Sequence, residues 1–490
     1  MAETVSPHAA VPQHADPADL GVLEAAELLR SGRLSAVELT DACLRRIDTR
    51  NGGPPTDDGA PDAINAWVRL YPEIAREQAA LADERRATEG DATPLLCGIP
   101  IGLKDLYGVA GLPLTASSQV LDENVAGGDA SVWQRLRQQG MVLLGHTHTH
   151  EFAAGGTTDQ VGNPWSLHLI AGGSSGGSAA ALAARMTPAA LGSDTCGSLR
   201  IPSACCGTCA IKPTHGRLPL DGIVPLAPTL DHPGPMARTI ADCAALLVAM
   251  AAGGPAVTPL MPPPAAIDGP PVTARSGGRP LAGTTITLTD RTHGITMADA
   301  VGRGLEEAAH TCERLGARIV ELAAPWTFDW DDLSRVLMTD VWAYHQDFAD
   351  RHDRYRPAIA EFAEVARDFT DAPTYLAAQA RRAEGTAMWE DWFWQNAVDL
   401  VLEPTLPILP YERGPGYDRG HAGGPGDPLI ELTALWDMTG MPVAALPVSW
   451  NVGVSLIGPR GHEAPLIQTA IDLQEHALGI PGDPVGRSGS

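Results

Sequence analysis

Between Ala171 and Leu220 the chain reads AGGSSGGSAAALAARMTPAALGSDTCGSLRIPSACCGTCAIKPTHGRLPL. Two Gly/Ser turns, GGSSGGS and SDTCGS, stand on either side of an alanine-rich helical stretch (177–186) and a strand-like run, PAALGSD. A Gly/Ser run on its own reads as a flexible linker. A linker rarely leads straight into a helix and then into a second turn of the same composition, so this segment is read as folded. Glycine admits backbone angles and close approaches that other residues refuse. A serine at the start of a helix, with glycine beside it, lies among backbone N–H groups that can hold a developing oxyanion.

The surrounding chain alternates between helical and strand-like spacing. Leu20 to about Arg50 has helical periodicity, and 51–63 (NGGPPTDDGAPDA) is a loop by composition. Ile64 to about Thr88 reads as one long helix, followed by a short strand in PLLCGIPIGLKD. MVLLGHT follows a helix at 130–139. Beyond a Pro/Gly-rich excursion at 253–283, TTITLTD, a helix near 298–316 and ARIVELAAP repeat the pattern. Residues 326–400 are helical and rich in aromatics, which read either as core or as an apolar substrate wall. The alternation predicts an α/β fold around a mixed sheet. Residues 20–480 are expected to form one domain, with a flexible lead (1–19) and tail (481–490).

Composition narrows the function classes. A formal net charge of −25 argues against nucleic acid and anionic membrane surfaces as partners. No apolar run is long enough to span a bilayer, and the first twenty residues lack the pattern of a signal peptide. The expectation is a cytoplasmic protein acting on a small molecule. Its 8 scattered cysteines read as ordinary thiols.

Of the 34 basic residues only Lys104 and Lys212 are lysine. Arginine keeps its charge at any ordinary pH, whereas a buried lysine can lose its proton and act as a base. Lys104 lies in GIPIGLKDLYGVAGLP, and Lys212 in the AIKPT exit of the Gly/Ser segment, where it is read as structural. Asp194 and Arg200 flank Ser198 and are expected to pair and hold its loop. Ser175 and Ser178 are expected to support by hydrogen bonding. Cys205, Cys206 and Cys209 have no second Cys/His cluster to complete a metal site, so no metal and no cofactor is expected.

These motifs together, GIPIGLKD, GGSSGGS, GSDTCGSLRIPSA and AIKPTHGRLP, resemble the amidase signature family of serine hydrolases. NPWSLHLIAGG, APTLDHPGPMARTIADCA, VLEPTLPILP and the C-terminal ALPVSWNVGVSLIGPRGHEAPLIQTA extend the resemblance over roughly 20–480. It implies a large mixed central sheet covered on both sides by helices. It also implies a Ser–cisSer–Lys triad with Lys104 as base, Ser174 in a cis peptide as relay and Ser198 as nucleophile. The implied oxyanion hole consists of the backbone N–H groups of Thr195, Cys196, Gly197 and Ser198. The chemistry is coherent, because Ser198 needs a base and Lys104 can serve only if desolvation keeps it neutral. Phe152, Ala153, Gly155, Trp326 and Trp330 are the expected pocket walls, for an apolar or aryl carboxamide. The family also makes a homodimer an expectation.

Three positions depart from the family pattern. Cys196 stands where glycine is usual, and GHTHTHEFAAGG places His146 and His148 where Lys and Asn are common. On a strand, His146, His148 and His150 would share one face, which raises a zinc amidohydrolase as one alternative. A carbamate hydrolase of the same mechanism is another. A third is the A-type subunit of an amidotransferase. Against it, the chain is acidic and HGRLPLDGIVPLAPTLDHPGPMAR looks more like a free-standing amidase.

Overall fold

The computed structural model describes residues 16–251, 278–414 and 426–484. Most of the expected excursion at 253–283, and the tail beyond 484, lie outside the described residues. The strands in chain order begin with β1 Trp67–Leu70, β2 Pro100–Lys104 and β3 Val142–Thr147. A small antiparallel ribbon follows, β4 Gly162–Asn163 with β5 Ser166–Ile170. Then come β6 Ala189–Asp194, β7 Cys209–Lys212, β8 His232–Ala237, β9 Thr285–Thr289, β10 Arg318–Leu322, β11 Leu400–Pro404, β12 Val443–Ser449 and β13 Val452–Ile457.

Eleven of these strands form one sheet in the order β1-β3-β2-β6-β8-β7-β12-β13-β11-β9-β10. It is mixed: β2 runs parallel to β3 and β6, and β8 runs antiparallel to β6 and β7. Every residue of β2, β3, β6, β7 and β8 is buried, so helices must cover both faces there. The helix Gly176–Ala183 is one such cover, and its alanines and glycines let it lie close to the sheet. No described helix is long and apolar enough to cross a membrane.

Three local readings change. The helix expected over Leu20–Arg50 is two, Val22–Arg30 and Ala36–Arg50. The chain turns at Gly32 (φ +68°), and Ser35 caps the second helix with Glu38. The helix expected from Ile64 begins only at Pro72, because Trp67–Leu70 pairs with β3. Pro72 sits at the first helical turn, where a missing N–H costs nothing. Of the expected lead only 16–19 are described: Pro17–Asp19 forms a short helix that buries Ala18, with Asp16 and Asp19 on Arg46.

Candidate active site

β2 ends at Lys104, whose side chain is fully buried. Its Nζ lies 2.7 Å from Ser174 Oγ, 3.0 Å from Ser175 Oγ and 2.9 Å from Ser193 Oγ. The directions of these bonds follow from counting protons. Ser175 gives its O–H to Ser193 O (3.2 Å) and accepts the Ser193 N–H (3.3 Å), so toward Lys104 it can only accept. A neutral amine has two N–H groups and one lone pair. With Ser175 taking one N–H, either Ser174 or Ser193 takes the other, and the remaining hydroxyl can donate to the lone pair. Burial pushes the Lys104 amine down to about 7, against the pull of Asp194 and Asp231.

Ser174 follows a cis peptide bond from Gly173. A Cβ on Gly173 would lie 1.9 Å from Thr157 O, so only glycine lets the two backbones approach this closely. Ser174 O accepts from the His150 N–H (3.0 Å) and the Thr158 hydroxyl (3.2 Å), which tie it to the loop after β3. Ser178, as expected, is a support: it bonds Leu191 O (2.9 Å) and Thr147 Oγ1 (2.8 Å).

Ser198 lies in the turn between β6 and the helix Arg200–Cys206, and its carbonyl accepts from Ser175 N–H at 3.3 Å. It lines a cavity with Thr195, Cys196, Ala153, Ala154, Gly155, Gly156, Ile201, Leu226, Leu337, Phe362, Asp427 and Ile430. Among the described residues no protein acceptor meets the backbone N–H of Thr195, Cys196 or Ser198. Gly197 differs: its N–H goes to Asp194 Oδ1 at 2.5 Å, and it does not line the cavity. Of the four N–H groups implied by the resemblance, that of Gly197 is thus bonded to Asp194, and the other three meet no acceptor among the described residues.

The expected Asp194–Arg200 pair is present and wholly buried, with contacts of 2.9 and 3.0 Å. Burial alone would raise the Asp194 carboxyl, but the Arg200 charge prevails and holds it at about 2. Cys196 tolerates its Cβ because its backbone avoids the left-handed region. Burial, with Asp437 and Asp194 nearby, pushes its thiol well above the ordinary range.

The predicted pocket walls divide. Ala153 and Gly155 line the cavity. Phe152 turns the other way and packs on His345 (4.7 Å between centroids) and Tyr355 (5.6 Å). Trp326 lies against Gly385 and the Trp389 cluster, and Trp330 packs edge-on to Phe328. From the 326–400 region it is Leu337 and Phe362 that reach the cavity. On the long helix Ala372–Gln395, Trp389 and Trp392 are buried in the core, whereas Trp394 is exposed.

The three alternating histidines do not converge. Only His146 lies in β3, bonded to Tyr71 OH and Tyr107 O at 3.0 Å each. His148 meets Thr56 O (3.0 Å), and His150 lies near Glu151 O (3.4 Å). Burial pushes all three rings down, His148 and His150 to about 3. Among the described residues no group of three or more His, Cys, Asp and Glu could hold a metal ion.

Sequence reading missed several residues of the site. Ser193 is one hydroxyl in a buried strand. Asp231 accepts the Thr195 hydroxyl (2.6 Å) and the Leu226 N–H (3.0 Å). Thr433 gives its hydroxyl to Cys196 O at 2.5 Å. None carries a local signal beyond its residue type, since Thr433 and Cys196 are 237 positions apart.

The family model for amidases matches residues 39–467. The A-type subunit of the glutamyl-tRNA(Gln) amidotransferase of Ralstonia nicotianae is 34% identical over 496 residues, 91% of this chain and 95% of that protein. A chain from a vestigial protein complex, which bears on the evolutionary origins of an s-triazine catabolic enzyme, superposes with a TM-score of 0.78 at 30% identity. It covers 94% of this chain and 99% of its own. A crystal structure of an amidase superposes with a TM-score of 0.78 at 25% identity, covering 94% and 100%.

Proposed function

Because this chain belongs to the amidase family, we propose that it cleaves a carboxamide C–N bond through an acyl-enzyme on Ser198. The 2.7 Å contact between Lys104 Nζ and Ser174 Oγ, buried beneath the cavity that Ser198 lines, carries this reading. Ser198 Oγ attacks the amide carbon while its proton passes through Ser174 to Lys104. The tetrahedral oxyanion is held by the N–H groups of Thr195, Cys196 and Ser198. Lys104 returns the proton through Ser174 to the leaving nitrogen, and the C–N bond breaks. Water then attacks the ester under the same base, which releases the carboxylate and frees Ser198.

The cavity wall supports a substrate class. Ile201, Leu226, Leu337, Phe362 and Ile430 favour an apolar or aryl acyl group. Esters and carbamates of similar shape would follow as side substrates of the same chemistry.

A second reading is the A-type subunit of an amidotransferase, and the relatives favour it over a free-standing amidase. Of the two charged groups of an amino-acid amide donor, the α-ammonium would find Asp427 in the cavity wall, but the α-carboxylate would find no positive charge among the described lining residues. Hydrolysis of benzamide, a p-nitroanilide, acetamide and glutamine by the chain alone separates the two. Turnover of the aryl amides, lost in Ser198→Ala and Lys104→Ala, supports the first reading. Turnover of glutamine alone, or activity only with a copurifying partner, supports the second.

A further inference from the structure

The mechanism uses one of the two lysines. Lys212, at the end of β7, is as fully buried as Lys104 but lies off the cavity. Its Nζ donates to Met441 O at 2.6 Å and meets His232 Nε2 at 3.2 Å. The other ring nitrogen of His232 lies 3.2 Å from Asp194 O and 3.4 Å from Asp437 Oδ1. Asp437 Oδ2 accepts from Arg200 Nη2 at 2.5 Å, and Oδ1 has no hydrogen-bond partner of its own. Arg200 then grips Asp194, whose two oxygens hold the N–H groups of Gly197 (2.5 Å) and Leu199 (3.1 Å) on either side of Ser198.

This line of groups runs without a break from Lys212 to the nucleophile turn, and its charges do not balance without the lysine. Asp194 and Asp437 both face the single guanidinium of Arg200. The neighbouring Arg217 is spent on Glu463, at 2.5 and 2.7 Å. Arg382 gives its Nε to Met438 O, and His215 lies edge-on to His232 at 5.0 Å. An uncompensated charge in such an interior is costly.

We propose that Lys212 is a positioning residue: through His232 it balances the charge of Asp437, and so keeps Arg200 clamped on Asp194 beneath Ser198. The neutral tautomer of His232 suits this role, with Nε2 accepting from Lys212 and Nδ1–H turned to Asp194 O and Asp437. Burial opposes both charges, drawing the Lys212 amine down to about 7 and driving the Asp437 carboxyl up, and the attraction between the two through His232 offsets part of that cost.

The inference rests on Ser198 being the nucleophile, and a probe that needs no known substrate tests it. The rate at which a fluorophosphonate labels Ser198 is measured in wild type, Ser198→Ala, Lys212→Met and Lys212→Met/Asp437→Asn, with a hydrolysed aryl amide assayed in parallel. Lys212→Met is expected to label at least tenfold more slowly and to lose kcat with little change in KM. The double variant, which removes the unbalanced carboxylate, is expected to recover most of that loss. Label appearing on Ser198→Ala would overturn the nucleophile assignment itself. With Ser198→Ala unlabelled, wild-type labelling by Lys212→Met would overturn the role of Lys212. So would a double variant no faster than the single one. If Lys212→Met does not fold, the inference still requires the double variant to be soluble and to label, and its failure would sink the idea.

Discussion

Asp194 takes the N–H of Gly197 at 2.5 Å and so anchors the turn that carries Ser198. One peptide group is spent on holding the turn. Those of Thr195, Cys196 and Ser198 meet no acceptor among the described residues, which is what the proposed oxyanion hole requires. The same carboxylate accepts from Leu199 and Arg200, so Ser198 sits between two anchored residues.

If Lys104 is the base, only its neutral form is active. Burial lowers its amine to about 7, so kcat/KM should rise with pH through about 7 and level off above it. A pH–rate profile on an aryl amide checks this. Ser198→Ala and Lys104→Ala should each lower kcat by at least about 1,000-fold. A flat profile between pH 6 and 9 would rule Lys104 out as the base.

The same shift makes a stability statement. A lysine whose folded value lies near 7, below its ordinary 10.5, binds fewer protons folded than unfolded between those pH values. Stability is therefore fully present above about 10.5 and is lost as pH falls toward 7. The loss is on the order of 5 kcal/mol before compensation by hydrogen bonds. Urea denaturation at pH 7 and pH 9 should show wild type gaining stability with pH, and Lys104→Met gaining measurably less.

Thr433 ties the turn to the helix Ala434–Met438 by donating to Cys196 O. Thr433→Val removes that bond and should cost about 1 kcal/mol of stability, with kcat falling about tenfold. Gly197→Ala should be worse. Its φ is +135°, and the added Cβ would meet Thr433 Oγ1 at 2.4 Å. A loss of about 100-fold in kcat or more is expected, checked by steady-state kinetics on protein confirmed folded by circular dichroism.

In the proposed mechanism Cys196 acts through its backbone and not its thiol, which burial pushes well above its ordinary range. Cys196→Ala should retain kcat/KM within about threefold, and iodoacetamide at pH 7.5 should inactivate the wild type only slowly. Rapid inactivation would show a thiolate that this environment does not support.

Among the described residues Phe362 is the one aromatic ring in the cavity wall. Phe362→Ala should raise KM for an aryl amide by about tenfold, the equivalent of roughly 1–2 kcal/mol of apolar contact, while leaving acetamide turnover nearly unchanged. Substrate series on the two proteins test this directly.

Local chemistry made much of this molecule legible in its sequence. Two Gly/Ser turns around an alanine-rich stretch mark where backbone must pass close to backbone, as Gly173 does against Thr157. That requirement is written in consecutive residues, so the segment, its family and the pairing of Asp194 with Arg200 could be read from it. Helix starts and strands with strong local signals could be read too. Trp67–Leu70 could not, because what makes it a strand is its pairing with β3, some 75 residues on. Tertiary structure alone decided which hydroxyls surround Lys104, that Gly197 turns its N–H away from the cavity, and that Leu337 and Phe362 rather than Trp326 and Trp330 form the wall. The reason is common to all of these. A side chain's type is local, but its direction and neighbours are set by how distant elements dock, and Thr433 reaches Cys196 only once the sheet has brought their turns together.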